Sequence, residues 1–361
     1  MSNRNLIIPA QHKARRALAY ALALIAIIII ALAVFFMKPA KKYEVSNSAG
    51  QPSSTASANA ATSGPVSPIS GQSCAQSNSR IMAVMISEDP QARPLSGLQD
   101  ASMVFEMPVT PNGINRLMAL YQCTLPSAIG SIRSAREDFV PLAQGMDAIL
   151  AHWGGEEHVL AALNNHIIDN IDALPNPYNA FYRTTNVAPP ENGFTSGSGL
   201  ENAAQKLGYS LTNAFSGYPF LSVSDSSTDP NVVTKQNVQA IAIHYPDPYA
   251  VNYQYDSATN TYLRSRNHTP EIDHLTGKQV TADNVVVLHT TWTPWYSQYI
   301  RVTVIGSGTV QVFRNGKEID GTWQKNSAAG KLYFFDASGK EIQFEPGNTW
   351  IEIVGQDVSV N

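Results

Sequence analysis

The chain has 361 residues, of which 24 are Lys or Arg and 28 are Asp or Glu, for a formal net charge of −4. That length suggests two domains or so. Residues 1–79 hold seven of the basic residues and one acidic residue, which leaves 17 basic and 27 acidic in 80–361, a net of −10. So acidic a part excludes nucleic-acid binding through the usual basic footprint, and a domain lying flat on anionic lipid.

The first predicted element is a membrane span. Residues 17–37 (ALAYALALIAIIIIALAVFFM) form an uncharged run of 21 residues. At about 1.5 Å per residue, this just crosses a bilayer core of roughly 30 Å. The run is too long for the apolar part of a signal peptide, and no A-x-A site follows before Lys38-Pro39. No Cys follows it closely enough for a lipoprotein signature. It reads as an uncleaved anchor. Arg4, Lys13, Arg15 and Arg16 precede it and Lys38, Lys41 and Lys42 follow, a slight bias toward an inside N-terminus. Residues 1–16 are then a cytoplasmic tail, and everything after the span is extracytoplasmic.

Residues 38–79 read as a tether. Ser46 to Ser79 carries no charge and is mostly Ser, Ala, Thr, Gly, Pro, Asn and Gln. It has too little apolar surface to fold and would behave as a flexible stalk of roughly 30 Å reach. Cys74 at its end and Cys123 are the only cysteines. Two are too few for a zinc cluster. Outside the cell they can pair and clip the tether to the domain; otherwise they are two thiols. Both readings stay open.

From Arg80 to residue 222 the pattern suggests a mixed-sheet α/β domain. Residues 81–86 (IMAVMI), 101–109 (ASMVFEMPV), 114–123 (INRLMALYQC) and 147–153 (DAILAHW) read as strands. The PNG step at 111–113 makes a hairpin of the second and third. Helices are expected over 134–145 and 156–165. Residues 223–361 read as a mostly antiparallel β domain, a barrel or sandwich. Its short β-branched and aromatic runs are separated by turn signals such as Asn315-Gly316 and Ser338-Gly339.

One stretch carries chemistry more than the rest. In GSIRSARED (130–138), Arg133 and Arg136 are flanked by Ser131, Ser134, Glu137 and Asp138. Ser134 and Glu137 have the spacing of a capping box, which would set both arginines at a helix N-terminus. That end attracts anions, and two guanidinium forks suit phosphate or carboxylate. Pro141 fits only if the helix starts later. The competing reading is a structural network in which Glu106, Glu137 and Asp138 neutralise the arginines and Arg116 joins in.

His152 in HWGGEEH sits at a strand end, where open α/β sheets bind ligands. It reads as a ligand contact or general base, or else as a buried and satisfied side chain. The spacing matches no zinc-protease motif. Arg183 in FYR, with Asn186 and Asn192, belongs to a Pro-rich loop that is either functional or ordinary surface. Trp292, Trp295 and Tyr296 form an aromatic cluster that is either an exposed docking spot or core. No G-x-S-x-G, Walker loop, G-x-G-x-x-G or catalytic Cys pattern occurs, so no nucleophile is identified. No cofactor or metal is indicated.

RIMAVMISEDPQARPLSGLQDASMVFEMPV, GINRLMALYQ, IGSIRSARED and DAILAHWGG, in that order, resemble the DUF3048 family of bacterial extracytoplasmic proteins, the YerB-like lipoprotein group. YLRSRNHTPEIDHLTGKQVTADNVVVLHT, GSGTVQVFRNGKEIDGTW and PGNTWIEIV resemble that family's C-terminal domain. The likeness covers roughly 80–361 and implies attachment to the outer face of a membrane, though by a transmembrane helix here rather than a lipidated Cys. It implies no particular activity. This chain has Pro190-Glu191-Asn192 and Pro270-Glu271 where the family often has Pro-His-Asn and Pro-His steps, so no metal or general-base role carries over at those positions.

The expectation is a membrane-anchored envelope protein that binds an anionic envelope ligand or a partner protein. The rival is an enzyme acting on phosphorylated lipid or wall polymer, with Arg133 and Arg136 on phosphate and Asp138 or Glu106 assisting. A third reading makes the C-terminal β region an interaction module that docks a partner through its aromatic cluster.

Overall fold

The apolar runs form strands close to where the sequence places them. β1 (Met82–Ser87), β2 (Met103–Pro108) and β3 (Asn115–Tyr121) make an antiparallel core, with β3 paired to both neighbours. After the short β4 (Ile129–Gly130), β5 (Ile149–His152) pairs in parallel with β1, and β6 (Asn170–Asp172) with β5. β7 (Phe181–Arg183) and β8 (Gly193–Thr195) join β4 in a small separate sheet.

The computed structural model describes residues 64–361 apart from Asn112, residues 223–228 and Ser297. The predicted span, the tail before it and residues 38–63 of the tether lie outside the described residues. Among the described residues, no helix is long and apolar enough to cross a membrane.

In the second half, β9 (Ala240–Ile243), β10 (Val251–Asp256), β11 (Thr261–Arg266), β12 (Thr269–Pro270) and β13 (Thr281–Ala282) form one small antiparallel sheet. β14 (Asn284–His289), β17 (Gly306–Arg314), β18 (Lys317–Lys325), β19 (Tyr333–Asp336) and β20 (Thr349–Val354) enter the large sheet instead. β15 (Trp292–Trp295) and β16 (Tyr299–Val302) form a separate hairpin. Asn315 and Gly316, both at positive φ (55° and 66°), make the two-residue turn between β17 and β18.

The large sheet therefore has ten strands, ordered β19-β18-β17-β14-β20-β2-β3-β1-β5-β6. β20 sits between β14 and β2 and is parallel to both. Strands from both sides of residue 222 thus share one hydrogen-bonded sheet. The expected barrel or sandwich is corrected on this ground: the second-half strands divide among the shared sheet, the small one and the β15–β16 hairpin. The expected α/β layering is only loosely met. The helices are short: α1 (Phe139–Gln144), α2 (Glu157–Asn164) and α3 (Gly197–Lys206). The described fold is mostly β, in several sheets.

Both faces of the large sheet are covered, which is why β1 reads as a continuous apolar run rather than an alternating one. Val84 and Ile86 face a core shared with α3 and the β9–β11 sheet, through Leu200, Ile241 and Tyr253. Ala83 and Met85 face a second core with Phe139 and Val140 of α1 and Val159 of α2.

Residues 64–79, which composition assigns to the tether, are packed on this body. Ile69 is buried and Ser67 Oγ donates to Gln122 Oε1 at 2.6 Å. Cys74 and Cys123 are joined in a disulfide, with Cα atoms 5.8 Å apart. The few apolar residues here suffice because an existing core receives them.

Candidate functional site

Residues 131–136 run as an extended loop across the end of β1. Arg133 N donates to Met85 O and Ala135 N to Gly154 O, both at 2.9 Å, and Ile132 bridges Ile86. No capping box forms. Asp138 is the residue preceding α1, it makes no side-chain cap bond, and Ser134 lies outside the helix. The reason is Pro141, which falls in the first turn of α1, where its missing N–H leaves no bond unmade. The arginines therefore do not sit at a helix N-terminus.

Their carboxylate partners also differ from the expected ones. Arg133 is ion-paired with Glu191, whose Oε2 accepts from Ser131 Oγ at 3.0 Å. Arg136 Nη1 donates to Ala135 O at 2.8 Å, and its guanidinium lies 4.7 Å from the Tyr299 ring centroid. Its Nε is 3.8 Å from Glu156 Oε2, an ion pair too long for a hydrogen bond, and is left without a partner. Burial pushes the Arg136 guanidinium below its ordinary pKa, against the pull of Tyr299 and Glu156.

Arg116 on β3 completes the cluster. It is only 9% exposed, and its Nε and Nη1 have no hydrogen-bond partner. Burial, then the Arg136 and Arg133 charges, lower its pKa to about 9. Three guanidiniums thus share the neighbourhood of two carboxylates, Glu156 and Glu191. A buried cation without a partner costs several kcal/mol in an apolar medium, so the cluster is electrostatically unfinished.

The three acids expected to neutralise the arginines do other work. Glu106 is fully buried and accepts from Arg264 Nη2 at 2.5 Å, Arg266 Nη2 at 2.7 Å and Asn115 Nδ2 at 2.6 Å. Glu137 pairs with Arg301 at 2.6 Å. Asp138 Oδ2 accepts from Val302 N at 2.7 Å, and burial raises its pKa to about 7. These last two contacts bind the β15–β16 hairpin over the arginine loop. Arg301 lies 3.6 Å over the Trp295 ring, and His158 meets Tyr296 edge-on at 4.9 Å. The aromatic cluster is thus half-buried, with Tyr296 exposed.

His152 is fully buried, with Nδ1 2.8 Å from Gly154 O and Nε2 3.2 Å from Asn170 Oδ1. The fold uses both ring nitrogens. Arg183 lies over Trp153 at 4.3 Å and donates to Asn192 Oδ1 at 2.7 Å. Sequence reasoning missed Glu156, Glu191 and Tyr299 as partners. Only Glu191 had a signal, as a departure from the family pattern. Among the described residues, no three His, Cys, Asp or Glu side chains converge as metal ligands.

Comparisons with known proteins agree with this architecture. Residues 69–210 match the family described as "Protein of unknown function (DUF3048) N-terminal domain", and 241–351 match its C-terminal domain. The relative named "Putative lipoprotein YerB", from Bacillus subtilis (strain 168), is 30% identical over 276 residues, 76% of this chain and 81% of its own. The chain belongs to the DUF3048 family. The crystal structure of Bacillus subtilis YerB superposes with a TM-score of 0.72 at 27% identity, covering 82% of this chain and 99% of YerB. The arginine loop lies within the segment matched to the DUF3048 N-terminal domain, and the β15–β16 hairpin that covers it within the segment matched to the C-terminal one.

Proposed function

We propose that the chain is a membrane-attached, extracytoplasmic protein of the bacterial cell envelope that binds a compact anion, phosphate or carboxylate, at Arg116, Arg133 and Arg136. Attachment is supported by the uncharged run 17–37 and by the name of the YerB relative, which describes a lipoprotein. One observation carries the ligand: Arg116 is buried with two guanidinium nitrogens unpartnered, beside two more arginines. An anion supplies the missing acceptor, and guanidinium groups match its geometry with paired N–H donors.

A second reading rests on Asp138. It lacks a cationic partner within ion-pair distance, its pKa of about 7 suits proton transfer, and it lines a small notch with Arg136, Glu156 and Tyr299. That favours acid–base chemistry on the bound anion. Glu106, held by two arginines, is not free for such a role.

The test is a thermal-unfolding titration of the full chain with phosphate and with pyrophosphate. A saturable rise in Tm, lost in Arg116→Met and in Arg133→Ala, is the expected result. Equal rises in all three proteins would sink the anion site.

A further inference from the structure

A second cleft lies beside the β4–β8–β7 sheet, lined in part by Tyr182, Thr184 and Phe194. Its volume is about 390 Å³, within the range of small-molecule sites. The β4–β8–β7 sheet builds one wall. Phe194 of β8 lies directly over Gly130 of β4, where an added Cβ would come within 2.5 Å of the ring. Tyr182 of β7 stacks beside Phe194, with centroids 6.2 Å apart and planes 29° from parallel. Tyr182 is 44% exposed and lines the cleft. The result is a flat aromatic platform with an open face, held rigid from beneath.

The rest of the lining mixes polar side chains, among them Gln91, Asn186 and His274, with apolar ones such as Val187 and Leu275. The side-chain amides of Gln91 and Asn186 line the cleft and make no hydrogen bond within the described residues. Arg93 is the cationic exception, and it is turned inward onto Glu88 at 2.7 Å and onto Glu271. Its charge is consumed there. An anion therefore gains little from this cleft, in contrast to the arginine loop.

We propose that this cleft is a binding site for a neutral saccharide, a short oligosaccharide segment lying on the Tyr182 ring. A pyranose presents an apolar C–H face that packs on an aromatic face and a rim of hydroxyls that both donate and accept. Gln91 and Asn186 each offer donors and an acceptor to those hydroxyls, while Val187 and Leu275 suit the C–H face.

The test is isothermal calorimetry of the full chain in a detergent without sugar headgroups, titrated with tri-N-acetylchitotriose, maltotriose and cellotriose. The three sugars separate an N-acetylated wall-type glycan from plain glucans. Saturable binding of at least one, weakened about tenfold or more by Tyr182→Ala and less by Asn186→Ala, is expected, with affinity unaffected by added salt. Both side chains are exposed, so Tm should not move in either variant; Arg133→Ala should bind the sugar as the parent does. No binding of any of the three at millimolar concentration overturns the proposal. So does binding that survives Tyr182→Ala, or that falls steeply with salt.

Discussion

Two regions of this molecule put arginines against glutamates below the surface, with opposite outcomes. Between the large sheet and the β9–β13 sheet, Glu88, Glu106, Glu271 and Glu352 meet Arg93, Arg264 and Arg266. Acids outnumber bases there, and the Arg264 and Arg266 pKa values rise despite full burial, because Tyr253 beside Arg264 and the carboxylates around both outweigh desolvation. In the loop cluster, bases outnumber acids, and desolvation reinforced by like charge pushes Arg116 down. Buried arginine is thus no signature of function in itself. The local balance of charge decides whether a group is already satisfied or still lacks a partner.

The contrast can be broken most forcefully at Glu106. Glu106→Ala strips one acid from two fully buried arginines, and a loss of roughly 3–5 kcal/mol is expected in urea unfolding. The surplus acid of the same region gives a pH signature. Burial and the adjacent Glu106 raise Glu352 to about 8 from the ordinary 4.5. Its folded form holds a proton that the unfolded chain has lost, so stability falls as pH rises from about 4.5 to about 8. Glu352→Gln should flatten that slope, measured as unfolding free energy against pH. An unchanged slope would mean that Glu352 stays ionised when buried.

The loop cluster should respond with the other sign. Arg116→Met removes a cation that nothing pairs, so stability should hold or rise by about 1 kcal/mol while the response to phosphate disappears. A large destabilisation would place Arg116 with the structural arginines instead. Glu156→Gln is the mildest change: its pair with Arg136 spans 3.8 Å, and an effect within about 0.5 kcal/mol is expected.

Much of this fold can be read from periodicity. β1, β2, β3 and β5 fall on the apolar runs, and the Asn315-Gly316 hairpin follows from its turn chemistry. What has no local signal is the insertion of β20 between strands of both halves, since parallel pairing needs no turn between partners. The site shows the same limit. Arg116, Arg133 and Arg136 stand out in the sequence, but Glu191 lies 58 residues beyond Arg133, and only the folded chain brings them together. The capping-box pattern at Ser134 gave a wrong helix start because Pro141 belongs in the first turn.

The position of β20 also bears on how the protein is made. The strand that finishes the middle of the sheet is made after both of its partners: β2 and β14 begin some 250 and 65 residues earlier in the chain. Until it arrives, β2 and β14 each present an open edge, the kind of surface on which strands from other chains add. A chain cut short before residue 349 carries two such edges, so this protein depends on keeping β2 and β14 from pairing wrongly until β20 has been made.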